Sequence, residues 1–565
     1  MKRKMGLVLA AGTMLLGTLL SACSSGGEKG NATPSPSASS IVNPAGQLPI
    51  TKEKTKLRIL AMGRPNIDFA TSSATKWVEE QTNIQIEWEV APEGPEAQTK
   101  LNVVLASGDY PDIIMNFGVT NTQQLTYGQQ GVFIPLNDLI DKYGVEMKKN
   151  MFGKFPNARA EITASDGKIY ALPVISECYQ CSYGQKMWIY KPWLDKLGLK
   201  VPTTTDEFYT VLKAFKEKDP NGNGKADEIP LTGSIEGNHT RIDEFLMNAF
   251  VLNSVKDFSG AFTIEDGRHM YVDKGKVVPA FTQQGWKDGL KFLNKLYAEK
   301  LLDPQTFTQN LKQLKTIGEN KEAIVGATSA IGVGTFTQYG GPSGRWSEYV
   351  AVPPLKGPTG LQVAPYNPDA IRPGEFIITK AAKHPEVAIR LADFLYNEDV
   401  TWRLQKGTEG LNWRKANPGE VDMMGRQAVF AQLAPIAEEK SNNSWFQRGV
   451  FATPDAQRYT SVVDPKAPKP QPVILYEATK NLYEPYAQKP DTMIPTLFFT
   501  VDQSKQVVDY SKTISTYVDE MIARFVTGDL DIDKNWDSYL NQLKSMNLQK
   551  LMDIYQVAYD AKTKK

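Results

Sequence analysis

The stretch from Asp219 to Pro230 carries oxygen-bearing side chains at regular spacing. It reads D-P-N-G-N-G-K-A-D-E-I-P, with glycine where the chain must turn sharply. A hard cation such as calcium needs this arrangement, because it binds several oxygen ligands around one tight loop. The spacing therefore favours a structural calcium site over a plain Asn-Gly turn. The predicted ligands are Asp219, Asn221, Asn223, the backbone carbonyl of Lys225, Asp227 and Glu228.

No strong catalytic signature accompanies this loop. The chain has only three histidines and contains no G-x-x-x-x-G-K-[ST], H-E-x-x-H or G-x-S-x-G sequence. A carboxylate pair for glycoside hydrolysis needs only two of the 63 acidic residues, so spacing along the chain leaves that activity open.

Composition narrows the class of partner. The 64 lysines and arginines nearly balance the 63 acidic residues, so nucleic acid is not a predicted partner. A length of 565 residues predicts more than one domain. The 10 tryptophans and 23 tyrosines offer the flat apolar faces with polar edges that sugar-binding proteins need.

The N-terminus has the features of an exported lipoprotein. Basic residues at 2–4 precede the apolar run Leu7–Leu20, which predicts a signal peptide over residues 1–22. The run is shorter than the roughly 20 residues of a transmembrane helix. The sequence L-S-A-C ending at Cys23 resembles a bacterial lipobox, so Cys23 is the predicted lipidation site at the outer face of the cell membrane. Residues 23–54, rich in small and polar side chains at first, are predicted to be a flexible tether.

Two further cysteines, Cys178 and Cys181, lie close together in the sequence. In an exported protein they form either a short-range disulfide or free thiols. Two cysteines and three histidines do not make a convincing zinc site, and no thioredoxin-like unit surrounds the pair. We favour a structural disulfide.

Strand and helix patterns alternate near the start of the mature chain. The predicted strands are Leu57–Met62, Ile84–Val90 and Asp112–Met115, and the predicted helices are Ser73–Thr82 and Glu96–Ser107. This alternation predicts a parallel sheet flanked by helices. Ligands of such sheets bind beyond the carboxyl ends of the strands, which selects Arg64, Asn116 and Phe117.

Longer stretches carry a family resemblance. The order W-x-x-K-x-W-L-D-K-L-G-L-K-V-P-T-T from Trp188, followed by the calcium-like loop, resembles the lipoprotein solute-binding components of carbohydrate ABC importers. It is most similar to the large subgroup that includes the alginate-binding proteins. Pro192 departs from that subgroup, which usually has Asp there. Further matching stretches are Leu105–Ile114, Gly167–Pro173, Lys406–Trp413 and Phe525–Asp560.

The resemblance implies an α/β, two-lobed periplasmic-binding-protein (Venus flytrap) fold. Each lobe would be a mainly parallel sheet flanked by helices, with a helical C-terminal region. Lobe 1 would comprise residues 55–176 and 365–425, and lobe 2 residues 177–364 and 426–565. Apolar residues at helical spacing from Val507 to Val526, Val508 among them, support a helical tail.

The resemblance also implies the function. A monomeric, lipid-anchored binding protein would capture an oligosaccharide and deliver it to an ABC permease, without enzymatic activity. Ligand contacts are expected near the segments that cross between the lobes, at Glu177, Tyr179, Trp346, Glu409 and Trp413. The alternatives are a lipid-anchored polysaccharide-active enzyme and a binder of a non-sugar solute.

Overall fold

The computed structural model describes residues 41–64, 67–255, 267–368, 370–433, 442–464 and 468–563. The predicted signal peptide, Cys23 and most of the predicted tether lie outside these ranges. Among the described residues, no helix has both the length and the apolar character needed to span a membrane. Residues from Val42 onward form one compact unit.

Strands and helices alternate along this unit. The strands are β1 Thr55–Met62, β2 Ile84–Ala91, β3 Ile113–Met115, β4 Leu172–Ser176, β5 Met187–Tyr190, β6 Ile229–Thr232, β7 Met270–Asp273, β8 Lys276–Pro279, β9 Val325–Ser329, β10 Tyr349–Val352, β11 Ile371–Ile378, β12 Trp413–Lys415, β13 Phe430–Gln432 and β14 Ala452–Thr453. The α-helices are α1 Ser73–Thr82, α2 Pro95–Ser107, α3 Asn121–Gln129, α4 Asn137–Tyr143, α5 Ala158–Ile162, α6 Lys191–Lys196, α7 Thr205–Glu217, α8 Ile242–Leu246, α9 Gln284–Ala298, α10 Leu311–Gly318, α11 Pro385–Leu395, α12 Glu398–Lys406, α13 Asp455–Arg458, α14 Gln471–Ala478, α15 Val501–Thr527, α16 Ile532–Ser545 and α17 Leu548–Thr563.

The first sheet has six strands in the order β14-β4-β11-β3-β1-β2. β1 is parallel to β2 and β3, and β14 is parallel to β4. β11 is antiparallel to both of its neighbours. All strands except β11 therefore run in one direction, and their carboxyl ends meet at one edge of the sheet.

The second sheet has four strands in the order β10-β5-β9-β6. β6 is parallel to β9, whereas β5 is antiparallel to β9 and to β10. Three strands share a direction and β5 is reversed. The predicted α/β class with two sheets is confirmed, but antiparallel pairings outnumber parallel ones in this second sheet.

The two reversed strands have one cause. β5 is the first strand after the chain leaves β4 for the second sheet, and β11 is the first strand after the chain returns from β10. Each of these two strands begins at the edge of its sheet that faces the other sheet. The remaining strands of that sheet end at the same edge, so the entering strand runs opposite to them. The carboxyl edges of the two sheets therefore face each other, where ligands of such sheets bind.

The division of the chain between the lobes differs from the predicted boundaries. The prediction placed residues 426–565 in lobe 2, but β14 lies in the first sheet beside β4. Of the described residues in that range, those from α14 onward pack in the core of the second sheet. The prediction missed β14 because a two-residue strand leaves no periodic pattern.

The folded body also starts earlier than predicted. Within the predicted tether, Val42 pairs with Thr51 in an antiparallel bridge, and Ile50 is fully buried. The buried Arg390 of α11 donates a hydrogen bond to the Gln47 carbonyl oxygen (2.6 Å). Residues 42–51 are therefore a strap packed on the first lobe, so the tether prediction is wrong for this part.

The predicted helical tail is present as α15, α16 and α17, and it completes the core of the second lobe. Phe525 and Ile514 of α15 are fully buried in the same cluster as Trp188 and Trp286. Val508 departs from the predicted apolar stripe, since 43% of its surface is exposed.

Candidate ligand-binding site between the two sheets

Two stretches of chain pass side by side between the sheets. One follows β4, and the other, residues 365–368 and 370, precedes β11. Backbone hydrogen bonds join them, from Asn367 N to the Ser182 carbonyl oxygen (2.7 Å) and from Ser176 N to the Ala370 carbonyl oxygen (2.9 Å). The lobes are thus connected by paired strands of chain, as a hinge requires.

A third crossing follows β14 and packs on the first. Arg458 donates from Nε to the Glu177 carbonyl oxygen (2.9 Å). The Asp455 carboxylate accepts the backbone N–H of Tyr179 (2.8 Å), and its own backbone N–H is donated to Glu177 Oε2 (2.9 Å). The structure therefore places the predicted Glu177 and Tyr179 where the crossings meet, with the Glu177 carboxylate already holding the third crossing.

A recess opens beside the first two crossings. It is lined by Cys181, Ser182, Gly184, Gln185, His239, Ser254, Val255, Pro365, Tyr366 and Asn367. The lining therefore combines amide, hydroxyl and imidazole groups with one tyrosine ring. Groups of these kinds can exchange hydrogen bonds with sugar hydroxyls, and a tyrosine ring can pack on the C–H face of a sugar.

Five tyrosines form a connected cluster next to this recess, which we call the tyrosine cluster. Its members are Tyr179, Tyr183, Tyr366, Tyr459 and Tyr476. Ring centroids lie 5.1 Å apart for Tyr183 and Tyr366, 5.2 Å for Tyr179 and Tyr476, and 5.3 Å for Tyr459 and Tyr476. Tyr179, Tyr366 and Tyr476 are half-buried, so each keeps part of its ring accessible. The cluster takes rings from all three crossings and from α14.

A buried lysine supports the turn that carries two of these rings. Lys186 is fully buried and donates from Nζ to the carbonyl oxygens of Gln180 (2.8 Å) and Tyr183. Its ammonium lies 5.3 Å from the ring centroid of Tyr483. No carboxylate among the described residues forms an ion pair with it, and burial lowers the pKa of Lys186 to about 7.

A buried polar network fixes the wall of the recess in the second lobe. His239 Nδ1 lies 2.6 Å from Glu244 Oε2, and Arg268 binds the other oxygen of that carboxylate. Burial raises the pKa of Glu244, but His239 and Arg268 outweigh this and lower it. Gln185 donates to the Asn253 carbonyl oxygen (2.9 Å) in the same wall. This side of the recess is therefore held rigidly.

Cys178 and Cys181 form a disulfide, with Cα atoms 5.1 Å apart. The bond closes the short turn that contains Tyr179, and Cys181 itself lines the recess. It restrains the backbone that presents the tyrosine cluster.

The three residues predicted at strand ends of the first lobe have different surroundings. Phe117 is 3% exposed and lies in the hydrophobic core, which removes it from the ligand-binding surface. Asn116 is buried and its amide binds the backbone of Gly449. Arg64 stays half-buried at the end of β1 and donates to Gln447 Oε1 (2.7 Å). Residues 442–449 thus cover this edge of the sheet, which the sequence prediction missed.

The other three predicted contacts lie elsewhere. Trp346 is 7% exposed and belongs to the core of the second lobe, so it is not part of the recess surface. Trp413 is half-buried, donates from its indole nitrogen to the Gly407 carbonyl oxygen (3.1 Å) and packs edge-on against Trp402. Glu409 is exposed in the same turn. Trp413 and Glu409 therefore lie beside α12 and the β12–β13 pair, whereas Trp346 does not.

The calcium-like loop joins α7 to β6 and folds around Asp219. The Asp219 carboxylate accepts the backbone N–H groups of Gly222 (2.9 Å) and Gly224 (3.0 Å). The amides of Asn221 and Asn223 both donate to the Asp227 carboxylate. In the described part of the chain, no group of three or more His, Cys, Asp or Glu side chains is arranged to hold a metal ion.

Glu228, at the end of this loop, has one carboxylate oxygen without a hydrogen bond within the described ranges. It is 3% exposed, and its Oε1 has no hydrogen-bond partner among the described residues. Burial raises the pKa of Glu228; two backbone amides oppose this, and the carboxylates of Asp219 and Asp227 raise it further. A cation would satisfy the orphaned oxygen and relieve the repulsion among the three acids, so the residues present fit such a group.

Sequence reasoning missed most of the tyrosine cluster. It identified Tyr179 but not Tyr183, Tyr366, Tyr459 or Tyr476. The last two lie far from the first in sequence, and no spacing rule connects them. The usable signal was position: Tyr366 precedes β11, just as Tyr179 follows β4, so both flank predicted crossings.

Known proteins of similar sequence match most of this chain. A family model described as bacterial extracellular solute-binding protein matches residues 67–402. The fructooligosaccharide ABC transporter substrate-binding protein FusA of Streptococcus pneumoniae serotype 4 is 29% identical over 490 residues, 86% of each chain. Lipoprotein LipO of Bacillus subtilis (strain 168) is 28% identical over 253 residues, 44% of this chain and 45% of LipO.

Solved structures agree over nearly the whole chain. FusA in complex with kestose aligns over 90% of this chain and 99% of its own, with a TM-score of 0.74 and 26% identity. A FusA EF-hand mutant in complex with fructo-nystose aligns over the same shares, with a TM-score of 0.74 and 25% identity. An HMO-binding solute-binding protein from Bifidobacterium longum infantis covers 91% of this chain and 100% of its own, with a TM-score of 0.74 and 26% identity. The chain therefore belongs to the family of bacterial extracellular solute-binding proteins.

Proposed function

We propose that this protein is the extracytoplasmic binding component of an ABC importer and that it captures an oligosaccharide between its two lobes. The observation that carries the proposal is the tyrosine cluster beside the recess, at the meeting point of the three crossings. The relatives support the ligand class, since FusA is a fructooligosaccharide-binding protein and the Bifidobacterium protein is HMO-binding.

The geometry explains how capture works. Tyr366 and Asn367 lie on the crossing that leads back to the first lobe, whereas His239 and Gln185 belong to the second. A sugar seated on the tyrosine rings contacts both lobes, so binding favours the arrangement in which they close around it. The hydroxyls that become buried confer selectivity, because an analogue lacking one leaves a buried partner unpaired.

The affinity for the oligosaccharide must be high enough for capture and low enough for release. A dissociation constant of about 1 μM, or about 8 kcal/mol, permits capture and later transfer to a permease. Titration calorimetry of the protein against an oligosaccharide library, including kestose, tests the proposal. We expect one-to-one binding and recovery of the intact sugar. Release of shorter sugars over hours identifies the protein as a polysaccharide-active enzyme instead.

We also propose a lipid anchor at Cys23. The proposal rests on the apolar run, the L-S-A-C sequence and the similarity to a lipoprotein relative. Cys23→Ala should shift the protein from the membrane fraction to the medium or the soluble extracytoplasmic fraction. Retention of Cys23→Ala in the membrane fraction refutes the anchor.

We propose that the calcium-like loop holds a structural calcium ion. Asp219, Asn221, Asn223, the Lys225 carbonyl, Asp227 and Glu228 supply the oxygens, and the existence of a FusA EF-hand mutant supports the assignment. A bound cation stabilises the folded state by mass action. The melting temperature should therefore be higher in millimolar calcium than in chelator, and equal values refute the site.

A further inference from the structure

The turn that follows β4, residues 178–182, is the point at which the three crossings are joined. From the second crossing, Asn367 donates its backbone N–H to the Ser182 carbonyl oxygen (2.7 Å). From the third crossing, the Asp455 carboxylate accepts the backbone N–H of Tyr179 (2.8 Å). We name this segment the junction turn, and one disulfide closes it.

The junction turn also forms part of the proposed binding surface. Cys181 and Ser182 line the recess. Tyr179 lies between the two bonded cysteines, and its ring centroid is 5.2 Å from that of Tyr476 and 6.4 Å from that of Tyr183. A movement of this turn therefore changes the recess and the tyrosine cluster together.

The disulfide acts on local geometry more than on the stability of the whole fold. It joins cysteines only three residues apart in the sequence. Stabilisation through the unfolded chain grows with the length of the closed loop, so a bond this short contributes little in that way. The backbone N–H groups of Cys181 and Ser182 both donate to the Cys178 carbonyl oxygen (3.0 and 3.1 Å), which keeps the chain folded here without the bond. We therefore expect the reduced protein to stay folded.

Reduction forces the two sulfur atoms apart. Covalently bonded sulfurs lie about 2.05 Å apart, whereas atoms in van der Waals contact lie about 3.5–4 Å apart. The middle of the turn is held in place, because Lys186 donates from Nζ to the Gln180 carbonyl oxygen (2.8 Å) and the Gln180 side chain is buried. The added separation therefore displaces the half-buried residues of the turn, Tyr179 and Cys181, and with them the surface of the recess.

We propose that the Cys178–Cys181 disulfide is a redox modification site that controls the affinity for the captured sugar, an inference that rests on the proposed function. Both cysteines are half-buried and Cys181 borders the recess, so a small dithiol reaches the bond. The oxidised protein holds Tyr179 in the tyrosine cluster and captures the sugar. The reduced protein binds it weakly.

The modification is a thiol–disulfide exchange. One thiolate of the external dithiol attacks a sulfur of the protein, the S–S bond breaks, and a mixed disulfide forms. The second thiol of the reagent then attacks that mixed disulfide and releases the remaining cysteine. Two electrons and two protons pass to the protein, which gains two thiols, and the reagent leaves as a disulfide.

Calorimetry of the full chain with kestose, before and after treatment with dithiothreitol, tests the inference; the tightest-binding library sugar replaces kestose if kestose does not bind. Cys23→Ala serves as the background, because it removes the third cysteine. We expect reduction to weaken the affinity by about tenfold, and re-oxidation to restore it. Far-UV circular dichroism should stay unchanged, and peptide mapping after alkylation should find both cysteines modified.

The double variant Cys178→Ser/Cys181→Ser is the matched control. It should bind the sugar as weakly as the reduced protein does, and dithiothreitol should not change its affinity. Because this variant cannot be reduced, it separates the loss of the bond from any other effect of the reagent.

The outcomes separate the two proposals. Equal affinities of the oxidised and reduced proteins overturn the redox inference while the proposed function stands. A disulfide that dithiothreitol reduces only in denaturant, or a fold that is lost on reduction, also overturns it. If the oxidised protein binds no member of the oligosaccharide library, the proposed function fails and the inference fails with it.

Discussion

The side-chain amide of Asn116 makes two hydrogen bonds to the backbone of Gly449, donating to its carbonyl oxygen (3.0 Å) and accepting its N–H (2.8 Å). Asn116 has a left-handed backbone, with φ 65°, at the end of β3. This pair fastens the segment 442–449 over the first sheet. The edge where ligands of parallel sheets usually bind is therefore partly occupied by the chain itself.

Asn116→Ala should destabilise the protein by about 2–3 kcal/mol, because it leaves two buried backbone groups of Gly449 without partners. Chemical denaturation followed by circular dichroism measures the change. Gln98→Ala is the control: its amide donates a single, half-buried hydrogen bond to the Phe117 carbonyl oxygen (3.0 Å), so its cost should stay below about 1 kcal/mol. Equal costs for the two variants contradict the special role of Asn116.

Removing a ring from the tyrosine cluster should weaken sugar binding. Tyr366→Ala and Tyr476→Ala should each lower the affinity for the bound oligosaccharide by about tenfold, or about 1.4 kcal/mol. Calorimetry at a temperature well below unfolding measures this. Tyr339→Ala serves as control, since Tyr339 is exposed and packs on Trp346 in the second lobe. Affinities that match the control for both cluster variants would refute the site.

Lys186 should make stability depend on pH. Its folded-state pKa is about 7, below the ordinary value of 10.5. Between these values the unfolded chain binds a proton that the folded chain does not, so this group makes the free energy of unfolding rise with pH. The slope is at most about 1.4 kcal/mol per pH unit.

Lys186→Met should therefore lack the rise in stability between about pH 7 and pH 9.5 that the parent shows. Urea denaturation at several pH values gives both curves. The exposed Lys191, which pairs with Asp195 at one turn of α6, provides the control Lys191→Met. Parallel curves for the parent and Lys186→Met would show that the buried ammonium does not titrate in this window.

Glu228→Gln should have opposite effects with and without calcium. Without the cation it removes a buried, repelled carboxylate and raises the melting temperature, because the pKa of Glu228 is raised by burial and by Asp219 and Asp227. With calcium it removes a ligand, so the calcium-induced shift should shrink. Thermal denaturation in chelator and in millimolar calcium measures both, with the exposed Glu217→Gln as control. An unchanged calcium shift in Glu228→Gln contradicts the ligand assignment.

The sequence predicted those helices whose ends are set by capping residues close by in the chain. The helix Ser73–Thr82 was predicted with its observed bounds, since Ser72 caps its first turn and Asn83 ends it in a left-handed conformation. The tail helix α15 ends at Gly528 for the same reason.

The candidate site could not be predicted to the same extent, because its parts meet only in the folded chain. Phe117 and Trp346 have the residue types of ligand contacts, but neighbours remote in sequence cover them. No pattern in the sequence marked Arg448, because its hydrogen bonds to Met62 and Gly63 at the end of β1 exist only in the folded chain. Tyr476 reaches Tyr179 across about half of the chain, and only the fold brings the two rings within 5.2 Å.

Solution X-ray scattering with and without a saturating oligosaccharide tests the central claim most directly. If two hinged lobes hold the sugar between them, the radius of gyration decreases on binding and returns to its starting value when the sugar is removed intact. A bound sugar that leaves the scattering curve unchanged would contradict capture by closure.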